Sequence, residues 1–243
     1  MIGVIMAGGR GTRARPFTDH FPKAMMPAGG IPVIEHVINH MNASDAISDI
    51  VIIADLKGMG AQIRHRYAGY GPKPITFVQD SGSGTGGDLR HADIPGDFML
   101  WFCDNLCALD IRGMVERYHE SGAAACMAVR SRRPEETGFA EVSGGMVVRF
   151  QEKPILELPY CECLGIYVLG QAVLDRIRNM RGPVNLSYDI LQEMASEGGV
   201  AAYDIGDTPW LDAESPAVLE RKGEMVRAIT SGMGARGSAR TRI

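Results

Sequence analysis

Short apolar runs recur at residues 2–6, 50–54, 74–78, 98–103 and 124–129, each the length of a strand. Helix-length amphipathic stretches lie between them. Pro32 ahead of Val33, Ile34, Val37, Ile38 and Met41 predicts a helix with proline in its first turn and an i, i+3/i+4 apolar face. Residues 56–68 predict a weaker helix, because Gly58 and Gly60 lower the propensity there. Asp110 predicts a cap for a helix carrying Ile111, Met114, Val115 and Tyr118. Strand and helix in alternation predict an α/β fold, with a mostly parallel sheet, right-handed crossovers, helices on both faces and ligands at the carboxyl ends of the strands.

The second half changes rhythm. Residues 139–142 and 146–150 flank Ser143-Gly144-Gly145 as a hairpin, and 163–169 reads as another strand. Ser187 ahead of Tyr188, Ile190, Leu191 and Met194 predicts a capped helix, and residues 200–205 a last strand. These elements predict a smaller mixed or antiparallel portion within one unit. Residues 1–230 read as a single domain and residues 231–243, poor in apolar side chains, as a flexible tail.

Composition narrows the function. The 243 residues carry 25 Lys and Arg against 29 Asp and Glu, a net charge of −4 that leaves no electrostatic footprint for a nucleic acid polymer. No apolar run reaches the roughly 20 residues of a membrane helix and no leader is visible, so the expectation is a cytoplasmic protein with no membrane partner. The odd count of five cysteines, Cys103, Cys107, Cys126, Cys161 and Cys163, reads as reduced core thiols, and their spacing misses that of zinc sites.

Candidate chemistry starts directly after the first strand. Met6 and Ala7 lead into Gly8, Gly9, Arg10, Gly11, Thr12 and Arg13, followed by Pro16, Pro22, Lys23 and Pro27. Glycines let backbone N–H groups approach an anion, and Arg13 and Lys23 supply charge against phosphate. No Gly-Lys-Ser/Thr follows, so this is not a Walker loop. His36 and His40 lie i, i+4 on the first predicted helix and read as a polar helix edge. A second glycine segment, Gly82 to Gly87, also satisfies G-x-G-x-x-G after a predicted strand, which leaves a dinucleotide oxidoreductase as a competing reading without a hydride-transfer constellation.

Taken together, the first glycine segment with Pro16, Pro22, Lys23 and Pro27 resembles the signature of the sugar-phosphate nucleotidylyltransferases, also called nucleotide-sugar pyrophosphorylases. Further matches follow in order: Gln79 and Gly84-Thr85-Gly86-Gly87, Cys103-Asp104-Asn105, Gly138-Phe139, Glu152-Lys153-Pro154, Gly165-Ile166-Tyr167, Tyr188-Asp189-Ile190-Leu191 and Trp210-Leu211-Asp212. The resemblance implies a Rossmann-like three-layer sandwich and a Mg2+-dependent transfer joining a nucleoside triphosphate to a sugar 1-phosphate with release of pyrophosphate. It implies Asp104 and Asp212 as metal ligands, Arg13 and Lys23 at the triphosphate, Lys153 at the sugar phosphate and Glu152 with Gly138 at the sugar. Met6, Ala7, Gln79, Gly84 and Thr85 would read the nucleobase.

Asp104-Asn105 resembles the glucose-1-phosphate thymidylyltransferases, so dTTP or UTP with a hexose 1-phosphate leads. Guanylyl or cytidylyl transfer to a mannose, heptose or non-sugar phosphate follows, and a catalytically silent, nucleotide-sugar-binding regulator is a further alternative. A homo-oligomer is compatible with all of these. Departures from the pattern are Cys103 for a glycine, Thr137 for an aromatic, and Ala213-Glu214-Ser215 for a Gly-Thr-like continuation.

Overall fold

The computed structural model describes residues 1–9 and 11–234. Its first half runs β1 (Ile2–Met6), β2 (Pro27–Ala28), β3 (Ile31–Pro32), α1 (Val33–Asn42), β4 (Asp49–Ala54), α2 (Ala61–Tyr67), β5 (Ile75–Gln79), α3 (Gly84–Arg90) and β6 (Phe98–Phe102). The second half continues with β7 (Asn105–Cys107), α4 (Ile111–Ser121), β8 (Ala125–Pro134), β9 (Phe139–Ser143), β10 (Met146–Gln151), β11 (Ile155–Leu169) and α5 (Gln171–Asn179). A π-helical turn (Leu186–Leu191) then runs into α6 (Gln192–Ser196), followed by β12 (Val200–Asp204), β13 (Trp210–Asp212), α7 (Pro216–Arg221) and α8 (Gly223–Gly232).

Seven strands form one sheet in the order β12-β8-β11-β6-β1-β4-β5. Only β11 runs antiparallel to its neighbours in it. Successive residues of a strand point to opposite faces, and each face carries its own apolar layer. Ile5, Ile52 and Trp101 pack with Ile34, Val37 and Met41 of α1, whereas Val4, Ile53 and Leu100 pack with Val173 and Leu174 of α5 and Leu186. Each fully buried side chain of this kind contributes about 1.5–3 kcal/mol. The expected three-layer, mostly parallel architecture is therefore present.

Local chemistry explains where elements begin. Asp110 caps α4 by accepting from Gly113 N at 3.1 Å. The weak helix starts only at Ala61, after Gly60, where a Cβ would lie 2.7 Å from the Asp55 carbonyl oxygen. Asn185, not Ser187, caps the turn at Leu186, accepting from Ser187 N and Tyr188 N at 3.0 and 3.1 Å. Gly144 and Gly145 join β9 to β10 with φ of 56 and 79°, the positive pair that a two-residue hairpin turn requires.

Three expectations change. Cys103, Cys107 and Cys126 are buried, but Cys161 and Cys163 are exposed, because they lie on the part of β11 that pairs with β8 alone. Residues 231–234, read as tail, belong to the packed fold: α8 runs to Gly232, Met233 is buried, and Gly234 N donates to His40 Nδ1 at 3.2 Å. His36 and His40, expected as a polar helix edge, are buried, their Nε2 atoms bonded to the Ala28 and Leu109 carbonyls. Arg10 and the tail beyond 234 lie outside the described residues. No helix among the described residues is long and apolar enough to cross a membrane.

Candidate active site

The chain leaves β1 toward β4 on one side and returns through β6 on the other, so the loops after β1 and β6 diverge around a crevice at the carboxyl edge of the sheet. Open α/β sheets bind ligands at such a switch point. Met6 stands level with Phe102, and Cys103 N donates to the Met6 carbonyl at 3.1 Å. Ala7 is still pinned, donating to the Ile53 carbonyl at 2.8 Å, so the free loop starts at Gly8. A Cβ on Gly8 would collide with the Asp80 carboxylate, while Gly9 faces open space. Gly11 has φ of 59° and opens a 3-10 turn over Thr12–Ala14. Its carbonyl accepts from Ala14 N and Thr18 Oγ1, both at 2.8 Å, and a Cβ there would lie 2.9 Å from the Lys23 stem. The glycine loop thus folds back onto Lys23.

Lys23 opens another 3-10 turn, Lys23–Met25, and its side chain is 12% exposed. Its Nζ lies 2.6 Å from Asp104 Oδ2 and 3.9 Å from Asp212 Oδ1. Asp104 lies two residues past the end of β6. Asp212 is delivered by the β7–β13 ladder, where it pairs in register with Asn105, and Ala213 N donates to the Asp104 carbonyl at 2.7 Å. Asp212 Oδ1 is buried and accepts no hydrogen bond. Burial, and then the Asp104 charge, push the Asp212 carboxyl above its ordinary range. Burial and the same charge also push the adjacent Cys103 thiol up, which disfavours its thiolate.

Over residues 2–219 the sequence matches the family of nucleotidyl transferases. The chain belongs to that family. Among similar curated nucleotidyl transferases, the low-salt glycan biosynthesis enzyme of Haloferax volcanii is 27% identical over 93% of this chain and 66% of its own length. The mannose-1-phosphate guanyltransferase of Pichia angusta is 28% identical over 89% of this chain and 61% of its own. The chain therefore spans somewhat under two thirds of these relatives. A solved glucose-1-phosphate thymidylyltransferase from Bacillus anthracis, in complex with sucrose, superposes with a TM-score of 0.73 at 25% identity, covering 93% of this chain and 96% of that one.

The other expected site residues fall into separate groups. Thr12 and Arg13 are exposed, and Arg13 pairs with Glu214, one of the departures noted in the sequence. Gln79 braces the loop after β4: Oε1 accepts from Lys57 N at 3.0 Å, and Nε2 donates to Asp55 Oδ1 and the Asp80 carbonyl at 3.2 and 2.7 Å. Gly84 and Thr85 face the segment before Leu186. A Cβ on Gly84 would lie 2.6 Å from the Val184 carbonyl, and Thr85 Oγ1 accepts from Leu186 N at 3.0 Å. Gly86 N and Gly87 N both donate to Val184 O, at 2.9 and 3.2 Å. Two N–H groups in the first turn of α3 are thereby taken by Val184 and are not free to face a pyrophosphate.

Gly138 and Glu152 meet at the base of the β9–β10 hairpin, where a Cβ on Gly138 would lie 2.8 Å from Glu152 Oε2. Lys153 follows, exposed, with φ of 47°, the one non-glycine residue of positive φ among those described. A cavity of about 290 Å³ lies beside this corner, walled by Arg130, Arg133, Glu136, Thr137, Trp210 and Lys222. Sequence reading missed Arg130 and Glu162, which face each other across β8 and β11 at 2.6 Å. Only the strand register brings them together, and no local spacing announces it.

Proposed function

We propose that the chain transfers a nucleotidyl group from a nucleoside triphosphate to a sugar 1-phosphate and releases pyrophosphate. The convergence of Lys23, Asp104 and Asp212 at the switch point carries this reading. Both reactants are anionic, so catalysis must screen charge and align an attacking phosphate oxygen with the α-phosphorus. That oxygen arrives ionised, and orientation can replace a general base.

Asp104 and Asp212 fit a Mg2+ ion. They offer hard oxygen donors, and Asp212 Oδ1 is a buried acceptor without a partner. No third acidic, histidine or cysteine side chain among the described residues joins them as a ligand set, as suits an ion that keeps waters and binds substrate phosphates. When bound, the ion supplies Lewis-acid screening of the triphosphate. Lys23, already between the two carboxylates, has its ammonium placed to move onto a phosphate, and Arg13 exchanges Glu214 for the departing pyrophosphate. The backbone of Gly8, Gly9 and Gly11, with Arg10 and Thr12, cradles the triphosphate. Lys153 receives the sugar phosphate, while Glu152 and Gly138 receive the sugar. Met6, Ala7, Gln79, Gly84 and Thr85 border the nucleobase, Gln79 through its position at the end of β5.

For the nucleotide, Asp104-Asn105 and the thymidylyltransferase neighbour favour dTTP or UTP with a hexose 1-phosphate. The guanyltransferase relatives support GTP with mannose 1-phosphate about equally. Pyrophosphate release is the test, with dTTP, UTP, GTP, CTP and ATP each set against glucose, mannose, heptose and N-acetylglucosamine 1-phosphates. Mg2+-dependent release from one pair is expected. Nucleotide-sugar binding without release across the panel would overturn the enzyme in favour of a silent regulator.

A further inference from the structure

Asp104 is itself held, and the group that holds it is Asn105. This side chain is buried at 7% exposure and its amide is almost fully engaged. Nδ2 donates to Asp104 Oδ1 at 3.1 Å and to the Phe102 carbonyl at 3.2 Å, and Oδ1 accepts from Trp210 Nε1 at 3.1 Å. An indole can only donate and a carboxylate can only accept, so the two neighbours fix which end of the amide faces which. Gly165, with φ of 67°, leaves the room: a Cβ there would stand 2.7 Å from Asn105 Nδ2.

Trp210 is fixed in turn. The Arg130 guanidinium covers its ring at 4.6 Å from the centroid, and Glu162 Oε2 accepts from Arg130 Nε and Nη2 at 2.7 and 2.6 Å. Planar Arg over an indole is a favoured stack. Trp210 and Arg130 also wall the cavity beside Gly138. One column of contacts therefore runs from that wall through Asn105 to Asp104.

We infer that Asn105 is a positioning residue for Asp104, and that Trp210 sets the orientation of its amide. With Oδ1 occupied by Asn105, Asp104 presents Oδ2 to the cation side, where Lys23 now stands. With no donor protons left over, Asn105 is not available to bind sugar hydroxyls through its nitrogen. This inference rests on the reading of Asp104 as a divalent-cation ligand.

Binding of Mn2+ alone, followed by electron paramagnetic resonance, separates the two. Wild type should bind, and Asp104→Asn should lose binding. Asn105→Ala should weaken binding about tenfold or more, the usual cost of losing a group behind a metal ligand. Trp210→Phe keeps a ring under Arg130 but deletes the indole donor, and should weaken binding about fivefold, as for one hydrogen bond. Trp210→Phe also answers the question if Asn105→Ala fails to fold, with circular dichroism as the check. Wild-type Mn2+ affinity in folded Trp210→Phe and Asn105→Ala, with Asp104→Asn still deficient, would overturn the inference and leave the cation reading standing. Wild type and Asp104→Asn binding alike would overturn the reading itself.

Discussion

Lys23 Nζ reaches Asp104 Oδ2 at 2.6 Å and stands 3.9 Å from Asp212 Oδ1, so one ammonium is shared between two acids from distant segments of the chain. The amine and a divalent cation are thus alternative counter-charges for the same pair. Removing one partner of a poorly solvated ion pair strands the rest. In Lys23→Gln, the thermal midpoint without divalent cation should fall, and millimolar Mg2+ should raise it by more than in wild type. Turnover should drop about 100-fold or more, as for loss of a group that stabilises transition-state charge. Calorimetry with and without Mg2+ checks this, and an equal Mg2+ response in both proteins speaks against shared occupancy.

Asp212 carries the cost of burial. Its carboxyl is raised, so the stability tied to its protonated form is full below the ordinary value of 3.8 and is lost as pH rises through the higher folded value. Asp212→Asn, neutral at all pH, should therefore melt higher than wild type at pH about 7 without divalent cation. The advantage should vanish at acid pH. A lower midpoint for the variant at neutral pH would show that the charge stabilises the apo fold.

Two glycines separate fold from function. Gly84 has φ of 82° and no room against the Val184 carbonyl, whereas Gly9 has open space around it. Gly84→Ala should cost about 2 kcal/mol in denaturant unfolding. Gly9→Ala should leave stability unchanged and raise the KM for the nucleotide. An unchanged KM would remove Gly9 from the triphosphate cradle.

The sheet was legible because strand-length apolar runs alternate with amphipathic helices, a pattern that few architectures bury. The resemblance pointed to Asp104, at the end of an apolar run, and to Lys23 after Pro22, and the fold brings the two side chains to 2.6 Å. Less legible was everything that depends on register. Residues 155–163 of β11 run along β8 between Pro134 and Val129 without pairing to β6, so Cys161 and Cys163 escape the core despite an apolar sequence context. Gln79 and Gly84 carry motif positions, yet both pack against the chain itself, because a glycine that admits a ligand and a glycine that admits a carbonyl look the same in sequence. The Arg130–Glu162 pair needed the strands to be aligned before it could be seen.

His36 gives the fold a pH dependence away from the site. Burial holds its imidazole below 6.5, outweighing the Ala28 carbonyl and the Glu35 charge that act the other way. The folded chain therefore binds that proton less readily than the unfolded one. The contribution of His36 is full above 6.5 and is lost as pH falls through 6.5 toward the lower folded value. Unfolding free energy should decline there by up to about 1.4 kcal/mol per pH unit for one proton. His36→Gln should flatten that slope in urea titrations, and an identical slope in both proteins would assign it to other groups.

Asp104 and Asp212 are proposed to hold jointly the cation on which nucleotidyl transfer depends. The most direct measurement of this is Mg2+-dependent pyrophosphate release at saturating substrates by wild type, Asp104→Asn and Asp212→Asn. Release by the wild type is expected, with a loss of about 100-fold or more in each variant. Near-wild-type turnover in either variant, with its fold intact, would contradict it.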